Sequence, residues 1–256
     1  MKSIAIITGA SSGIGRRFAE TVENMGKFDE VWVIARRLDR LESLKETVKF
    51  PVRPIALDLT SADAPKALED LLKEENPDVK LLVNCSGFGI FRSVEDSAYE
   101  DNLNMVDLNC KAVTYCCQIA LPYMREGAKI INIASVAAFQ PIPYINVYAA
   151  TKAYVLYFSR ALNRELKKRR ITVTAVCPFW TKTEFFNRAV DEKNKVVKYY
   201  AAMYDPKDIV KRAMRDAKRG KDVSKYGFVA RFQAALCKIL PHSLVMSVWQ
   251  RQQKLK

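Results

Sequence analysis

The sequence predicts one doubly wound α/β domain, a parallel sheet with helices on both faces. Three observations predict it. Six near-continuous apolar runs of strand length alternate with helical patterns, as buried parallel strands require. A glycine-rich turn joins the first run to the first helix. No repeat, low-complexity stretch or Gly/Ser linker breaks the chain, and 256 residues can bury a substantial core.

The elements follow in order. Residues 3–8 read as a buried strand, 13–25 as a helix closed by Gly26, and 30–35 as a second strand. Residues 37–48 form a helix, 52–57 a third strand, and 62–75 a helix stopped by Asn76-Pro77. A fourth strand covers 81–84, helices fill 97–124, and a fifth strand covers 129–134. A long helix over 147–168 and a sixth strand over 171–176 complete the pattern. Beyond about residue 180 the chain turns aromatic and basic, an excursion and C-terminal appendage on the same domain.

Composition removes several functions. With His242 the only histidine, zinc proteases and Cys/His zinc modules lose their ligands, and no metal site is expected. A serine or cysteine hydrolase would depend on that same residue, with no nucleophile elbow to serve. Cys85, Cys110, Cys116, Cys117, Cys177 and Cys237 lie mostly in apolar runs without a Cys-x-x-Cys pair. They read as reduced core residues of a cytoplasmic protein. No run reaches the roughly 18 residues of a membrane span, and the N-terminal apolar run is too short for a signal peptide.

The formal net charge is +14, unevenly spread. Residues 1–150 carry 17 basic and 20 acidic side chains, and residues 151–256 carry 25 and 8. A solvated surface is the favoured explanation over an anionic partner. No nucleic-acid-binding motif accompanies the charge.

Thr8-Gly9-Ala10-Ser11-Ser12-Gly13-Ile14-Gly15 follows the first strand and opens the first helix. Glycines there let the backbone approach a pyrophosphate held by helix N-terminal amides. Dinucleotide choice follows from charge. A carboxylate at the end of the second strand suits a ribose hydroxyl, whereas a cation suits a 2′-phosphate. Ala35-Arg36-Arg37 ends that strand with no acid at its tip, so NADP(H) is expected.

The Gly-x-x-x-Gly-x-Gly spacing after a threonine resembles the short-chain dehydrogenase/reductase family, with matches over roughly residues 3–183. The resemblance implies a Rossmann-like fold and a nicotinamide cofactor. It carries cofactor contacts onto Gly9, Ser11, Ser12, Gly13, Ile14 and Gly15, and onto Arg36, Arg37, Asp58 and Leu59. Asn84-Cys85-Ser86-Gly87 resembles the family's Asn-Asn-Ala-Gly turn, giving Asn84 and Gly87. Pro178, Thr181 and Thr183 complete the set, with Phe179 where the family commonly has glycine.

Ser135, Tyr148 and Lys152 carry the expected chemistry, spaced Ser-x12-Tyr-x3-Lys. Ser135 follows the fifth strand, at the edge where open α/β sheets bind ligands. Tyr148 and Lys152 share one helical face. A tyrosine pKa near 10 needs about 4 kcal/mol of differential stabilisation to reach neutrality, which a nearby ammonium and an oxidised nicotinamide can supply. The resemblance implies that Tyr148 is general acid and base, that Ser135 polarises the carbonyl, and that Lys152 lowers the tyrosine pKa and holds the ribose. It adds Asn109, which in the family supports a water linked to the lysine. Tyr148 and Lys152 therefore also count among the cofactor contacts.

Residues 184–205 carry many aromatics and match the family's substrate lid. Phe88, Phe91, Phe139, Ile142 and Tyr144 could add an apolar wall, suiting a bulky ketone or alcohol such as a steroid or acyl chain. Equally, these aromatics could only pack the lid. The basic segment 229–256 resembles a helical C-terminal extension. It could cover the pocket, pack on a partner subunit or rest on an anionic bilayer, with packing favoured over membrane contact. The helices over 98–124 and 147–168 match those that build family homodimers and homotetramers. A carbonyl reductase leads the readings, with a catalytically idle NADP(H)-binding redox sensor as the alternative.

Overall fold

The computed structural model describes residues 1–190 and 196–255. Residues 191–195 of the expected lid and Lys256 of the expected extension lie outside the described residues. Seven strands are found among the described residues: β1 (Ser3–Thr8), β2 (Glu30–Ala35), β3 (Val52–Ala56), β4 (Asp78–Asn84), β5 (Lys129–Ile133), β6 (Thr172–Val176) and β7 (Val223–Ser224). All pair in parallel, in the order β3-β2-β1-β4-β5-β6-β7. The order reverses between β1 and β4, so the crevice beyond their carboxyl ends is the fold's ligand position.

Alternation along each strand divides two cores. Ile4, Ile6, Trp32 and Ile34 face one helical layer. Ala5, Ile7, Val31 and Val33 face the other. The first layer holds α3 (Ala64–Glu75), α5 (Ala112–Ala120) and α6 (Asn146–Glu165). The second holds α1 (Gly13–Glu20), α2 (Leu38–Glu42) and α8 (Pro206–Lys218). Pro54 lies in β3, at the sheet edge, where a missing N–H costs no ladder bond.

Several boundaries differ from those read in the sequence. The first helix stops at Glu20 and continues as a 3-10 turn, Val22–Asn24. There the Thr21 hydroxyl donates back to the Arg17 carbonyl at 2.7 Å, a bond that competes with helical propagation. β4 starts three residues early because Asp78 and Lys80, paired at 2.6 Å, hide its apolar run. The helical stretch over 97–124 divides into α4 (Tyr99–Val106), a π-helical turn at Asp107–Lys111, and α5. β7 has two residues, too few for a periodicity to register.

The chain beyond β6 forms α7 (Phe185–Ala189), α8, β7, α9 (Phe228–Ile239) and α10 (His242–Gln253). Asp216 pins α8 to β7. It is buried, accepts from Arg212 Nε at 2.6 Å and Ser224 Oγ at 2.9 Å, and lies 3.2 Å from Lys221 Nζ. Burial pushes its carboxyl pKa up, but the hydrogen bonds from Arg212 and Ser224 and the nearby Lys221 ammonium outweigh burial and hold it below the ordinary value. Its stabilisation is therefore present above the unfolded pKa and is lost as pH falls through the folded one. Asp216→Ala should cost about 3 kcal/mol, because it leaves partly buried cations uncompensated. Urea denaturation at neutral pH measures this, and an unchanged midpoint would contradict it.

Candidate active site

The carboxyl ends of β1, β4, β5 and β6 open into one cavity of about 800 Å³. Thr8 Oγ1 accepts from the backbone amides of Cys85 at 3.0 Å and Ser86 at 3.2 Å, tying the end of β1 to the loop after β4. Gly9 has φ +67, and a β-carbon on it would stand 2.8 Å from the Cys85 carbonyl carbon. A β-carbon on Gly15 would overlap the Gly9 carbonyl. Thr183 packs against Gly13 from the far side. These close approaches leave backbone facing the cavity at the start of α1, the cradle a pyrophosphate needs.

The expected cofactor residues mostly share this cavity. Gly9, Ser11, Ser12, Gly13, Ile14, Gly15, Arg36, Arg37, Asp58, Leu59, Gly87, Pro178, Thr181 and Thr183 line it. Asn84 is placed differently. Its Nδ2 donates to Asn132 Oδ1 at 2.9 Å, and Asn132 Nδ2 donates to Ser159 Oγ at 2.9 Å. This buried polar chain braces β4, β5 and α6 below the cavity.

At the edge expected to take the adenine, Asp58 Oδ1 accepts from Thr60 N at 2.9 Å and from its hydroxyl at 2.8 Å. Burial opposes ionisation of Asp58, but these bonds and the Arg36 charge hold its pKa below the ordinary value. Arg36 is largely exposed, 3.8 Å from Asp58. Arg37 donates to Ser11 Oγ at 3.1 Å and to Glu184 at 3.3 Å, and Arg40 reaches Glu184 at 2.6 Å. The Arg40–Glu184 contact was not anticipated. Its partners are 144 residues apart, with no shared motif to reveal them.

Ser135 caps the 3-10 turn Val136–Phe139, accepting from Ala137 N at 3.1 Å. Tyr148 is on the first turns of α6 and lines the same cavity as Ser135. Lys152, one turn on, is 5 % exposed and donates from Nζ to the Ile133 carbonyl at 2.8 Å. Its Nζ lies 5.7 Å from the Tyr148 ring centre. Burial lowers the lysine pKa to about 8. Burial also raises the tyrosine to about 12, the reverse of the lowering expected from Lys152, and only Ser135 acts in the opposite sense. Near neutrality the pair is therefore an ammonium beside a phenol, ready to release a proton rather than accept one.

Asn109 sits in the π-helical turn, fully buried. Its Oδ1 accepts from Phe88 N at 3.1 Å, while Nδ2 donates to Phe88 O at 2.9 Å and Thr151 Oγ1 at 3.0 Å. A β-carbon on Gly87 would lie 2.8 Å from Asn109 Oδ1 and 3.4 Å from Lys152 Nζ. Only a glycine lets these groups approach so closely.

The cysteines carry no chemistry of this kind. All six are unpaired, and burial pushes the Cys85 and Cys177 thiols up to about 12 and Cys110 to about 11. Such thiols stay protonated and inert.

Beside Tyr148 the cavity is apolar. Phe91, Trp180, Phe185, Phe186 and Tyr200 form a chain of ring contacts, centroids 5.3 to 6.0 Å apart. The C-terminal helices close it. Trp249 Nε1 donates to the Pro143 carbonyl at 3.1 Å, on the loop that enters α6. Gln253, buried, accepts from Lys198 N and Tyr199 N at 2.8 and 2.9 Å and donates to Tyr199 O at 3.0 Å. Gln140 Oε1 accepts from Gln233 and Cys237 on α9. These contacts pack the extension over the cavity. No sequence signal marked Gln253, since its value lies in which backbone it meets.

Comparison with known proteins agrees with this geometry. The model of the short chain dehydrogenase family matches residues 3–194. The chain belongs to that family. Sulfoacetaldehyde reductase of Chromohalobacter salexigens is 35 % identical over 191 residues, 72 % of this chain and 75 % of that protein. Human very-long-chain 3-oxoacyl-CoA reductase is 32 % identical over 193 residues, 70 % of this chain and 60 % of the longer relative. A short-chain dehydrogenase from Sphingobium yanoikuyae, solved in complex with NADPH, superposes with TM-score 0.77 at 28 % identity, covering 95 % of this chain and 98 % of that one. As a short-chain dehydrogenase, the chain is an oxidoreductase that interconverts alcohols and carbonyls with a nicotinamide dinucleotide.

The roles expected of the pair, Tyr148 as proton donor and Lys152 as cation in reduction, can be tested by pH. Tyr148 holds its proton to about pH 12, so Lys152 fails first as pH rises. The reductive kcat/KM should be level below pH 8 and fall about tenfold per unit above it. A level profile to pH 10 would contradict this.

Proposed function

We propose that the enzyme is an NADP(H)-dependent carbonyl reductase for bulky hydrophobic ketones or aldehydes, running also as the reverse alcohol dehydrogenase. The observation that carries the substrate reading is the apolar chamber of Phe91, Trp180, Phe185, Val245 and Trp249, in the same cavity as Tyr148 and Ser135. Such walls favour a large apolar body with one polar atom to place. Two similarities support it. The human relative is a very-long-chain 3-oxoacyl-CoA reductase. A bulky-bulky ketone specific alcohol dehydrogenase from Comamonas testosteroni superposes with TM-score 0.73 at 27 % identity, over 96 % of this chain and 94 % of that one.

In this reading the substrate oxygen sits between Ser135 Oγ and the Tyr148 hydroxyl. Ser135 polarises the carbonyl, and Tyr148 delivers the proton to the developing alkoxide. Lys152 supplies the positive field that makes that delivery easier, and Asn109 positions the Phe88 backbone and Thr151 around it. A bound nicotinamide supplies the hydride. The described residues 184–190 and 196–205 act as the lid over the substrate.

NADP(H) preference is supported by Arg36 and Arg37 beside the cavity, with Arg40 behind them. Guanidinium groups give phosphate oxygens paired, directional donors. The carboxylate that meets Arg37 and Arg40 comes from Glu184, at the far wall, rather than from the end of β2. The S. yanoikuyae neighbour was solved with NADPH.

Tyr148→Phe should lose turnover by at least about a hundredfold while NADPH still binds, as protein fluorescence titration would report. Assaying both proteins against ketones from small aliphatic to steroid-sized tests the chamber. Best turnover on the smallest ketone would refute the bulky-substrate reading. Arg36→Ala combined with Arg37→Ala should cut the NADPH over NADH preference by about tenfold or more, the scale of one or two charge-assisted hydrogen bonds. An unchanged ratio of kcat/KM values would remove the assignment.

A further inference from the structure

α9 is apolar on two opposite faces. Ala230, Ala234 and Cys237 are buried against the domain. On the other side Phe228, Phe232, Leu236 and Ile239 stand 72, 56, 38 and 81 % exposed, spaced four, four and three residues apart on one helical face. α10 also carries a buried and an exposed apolar side, about 100° apart round the helix. Val245 and Trp249 face inward, while Leu244 and Val248 are 48 and 55 % exposed. A run of exposed aromatic and aliphatic side chains on two successive helices is more than scattered surface apolarity.

Three of these residues, Phe232, Leu236 and Val248, also line the active-site cavity. Being both exposed and cavity-lining, they form its rim. The segment that carries them has charge of one sign. After Asp222 the sequence carries six Lys or Arg and no Asp or Glu. Arg231, Lys238, Arg251 and Lys254 are exposed on the same two helices or at their end.

We propose that this face docks the enzyme on an anionic lipid bilayer, with the mouth of the cavity turned toward the membrane. Apolar side chains between cations are the composition that seats a helix in the interface plane. Each helix has twelve residues, well short of the roughly 20 that cross a bilayer, so contact is with one leaflet. A second copy of this chain is the poorer occupant. An isologous contact would place this patch against itself, setting cations against cations with no carboxylate on the segment to pair them. The orientation toward the membrane rests on the bulky hydrophobic substrate proposed above, since such a ketone concentrates in the bilayer. The binding itself does not depend on it.

The full chain is sedimented with phosphatidylcholine vesicles with and without phosphatidylglycerol, beside the variant Phe228→Ser/Ile239→Ser/Leu244→Ser, whose three positions lie outside the cavity lining. The wild type should pellet with the anionic vesicles and be released by high salt. The triple variant and neutral vesicles should each weaken binding by about tenfold or more. Turnover of a water-soluble ketone should be the same in both proteins, which shows the variant folded. Wild type left in the supernatant, or equal pelleting of the two proteins, overturns the proposal. So does a wild-type dimer that the triple variant converts to monomer in analytical ultracentrifugation without lipid, which would give the face to a second copy. None of these readouts depends on the bulky-ketone reading, so the two can fail separately.

Discussion

Lys152 is a cation removed from water, and the cost of that removal organises the floor of the active site. Its pKa is lowered by burial from 10.5 to about 8, equivalent to about 3 kcal/mol of folding stability. Because the folded value is the lower one, the penalty is complete below pH 8 and is relieved as pH rises toward the unfolded value. A fold that tolerates this charge for function must hold it rigidly. The Ile133 carbonyl accepts a hydrogen bond from the ammonium at 2.8 Å. β5, which carries that carbonyl, is linked to β4 and α6 by the hydrogen-bonded chain Asn84–Asn132–Ser159. The buried polar network thus lies beneath the buried charge, where loss of position would be most expensive.

The placement of Asn109 explains the π-helical turn. A regular helix through residues 107–111 would rotate Asn109 by about 100° relative to the helix that follows. The extra residue in the turn lets Asn109 meet both the Phe88 backbone and Thr151 while α5 keeps its apolar face on the sheet. Irregular helical turns at functional positions often have this origin.

What the sequence disclosed follows from how local each signal is. The glycine loop, Ser135, and the Tyr148–Lys152 pair depend on spacings along one or two elements, so they could be read directly. Strands β1, β2, β5 and β6 announced themselves because both faces are buried. β4 began earlier than its apolar run because Asp78 and Lys80 answer each other's charge. Asn84 was legible as part of a turn motif, but its role below the cavity depends on Asn132, 48 residues away. Gln253 and Glu184 were beyond reach for the same reason. Each is an ordinary polar residue whose meaning comes from a distant backbone or guanidinium.

The walls of the cavity are held by unequal forces, and their magnitudes decide what fixes the short helix α7. Glu184 pairs with Arg37 and Arg40, but all three side chains are 40 to 47 % exposed. Water screens such pairs, leaving about 0 to 1 kcal/mol each. Phe185 and Phe186, the next two residues, contact Phe91, Tyr148, Trp180 and each other at centroid distances from 5.6 to 6.0 Å. Aromatic pairs of this geometry contribute about 0.5 to 1.5 kcal/mol each beyond the area they bury. The rings therefore outweigh the ion pairs, and α7 is seated by the apolar chamber. The ionic contacts beside Arg37 and Arg40 can exchange partners at little cost while the aromatic contacts with Phe91, Tyr148 and Trp180 keep the helix in place.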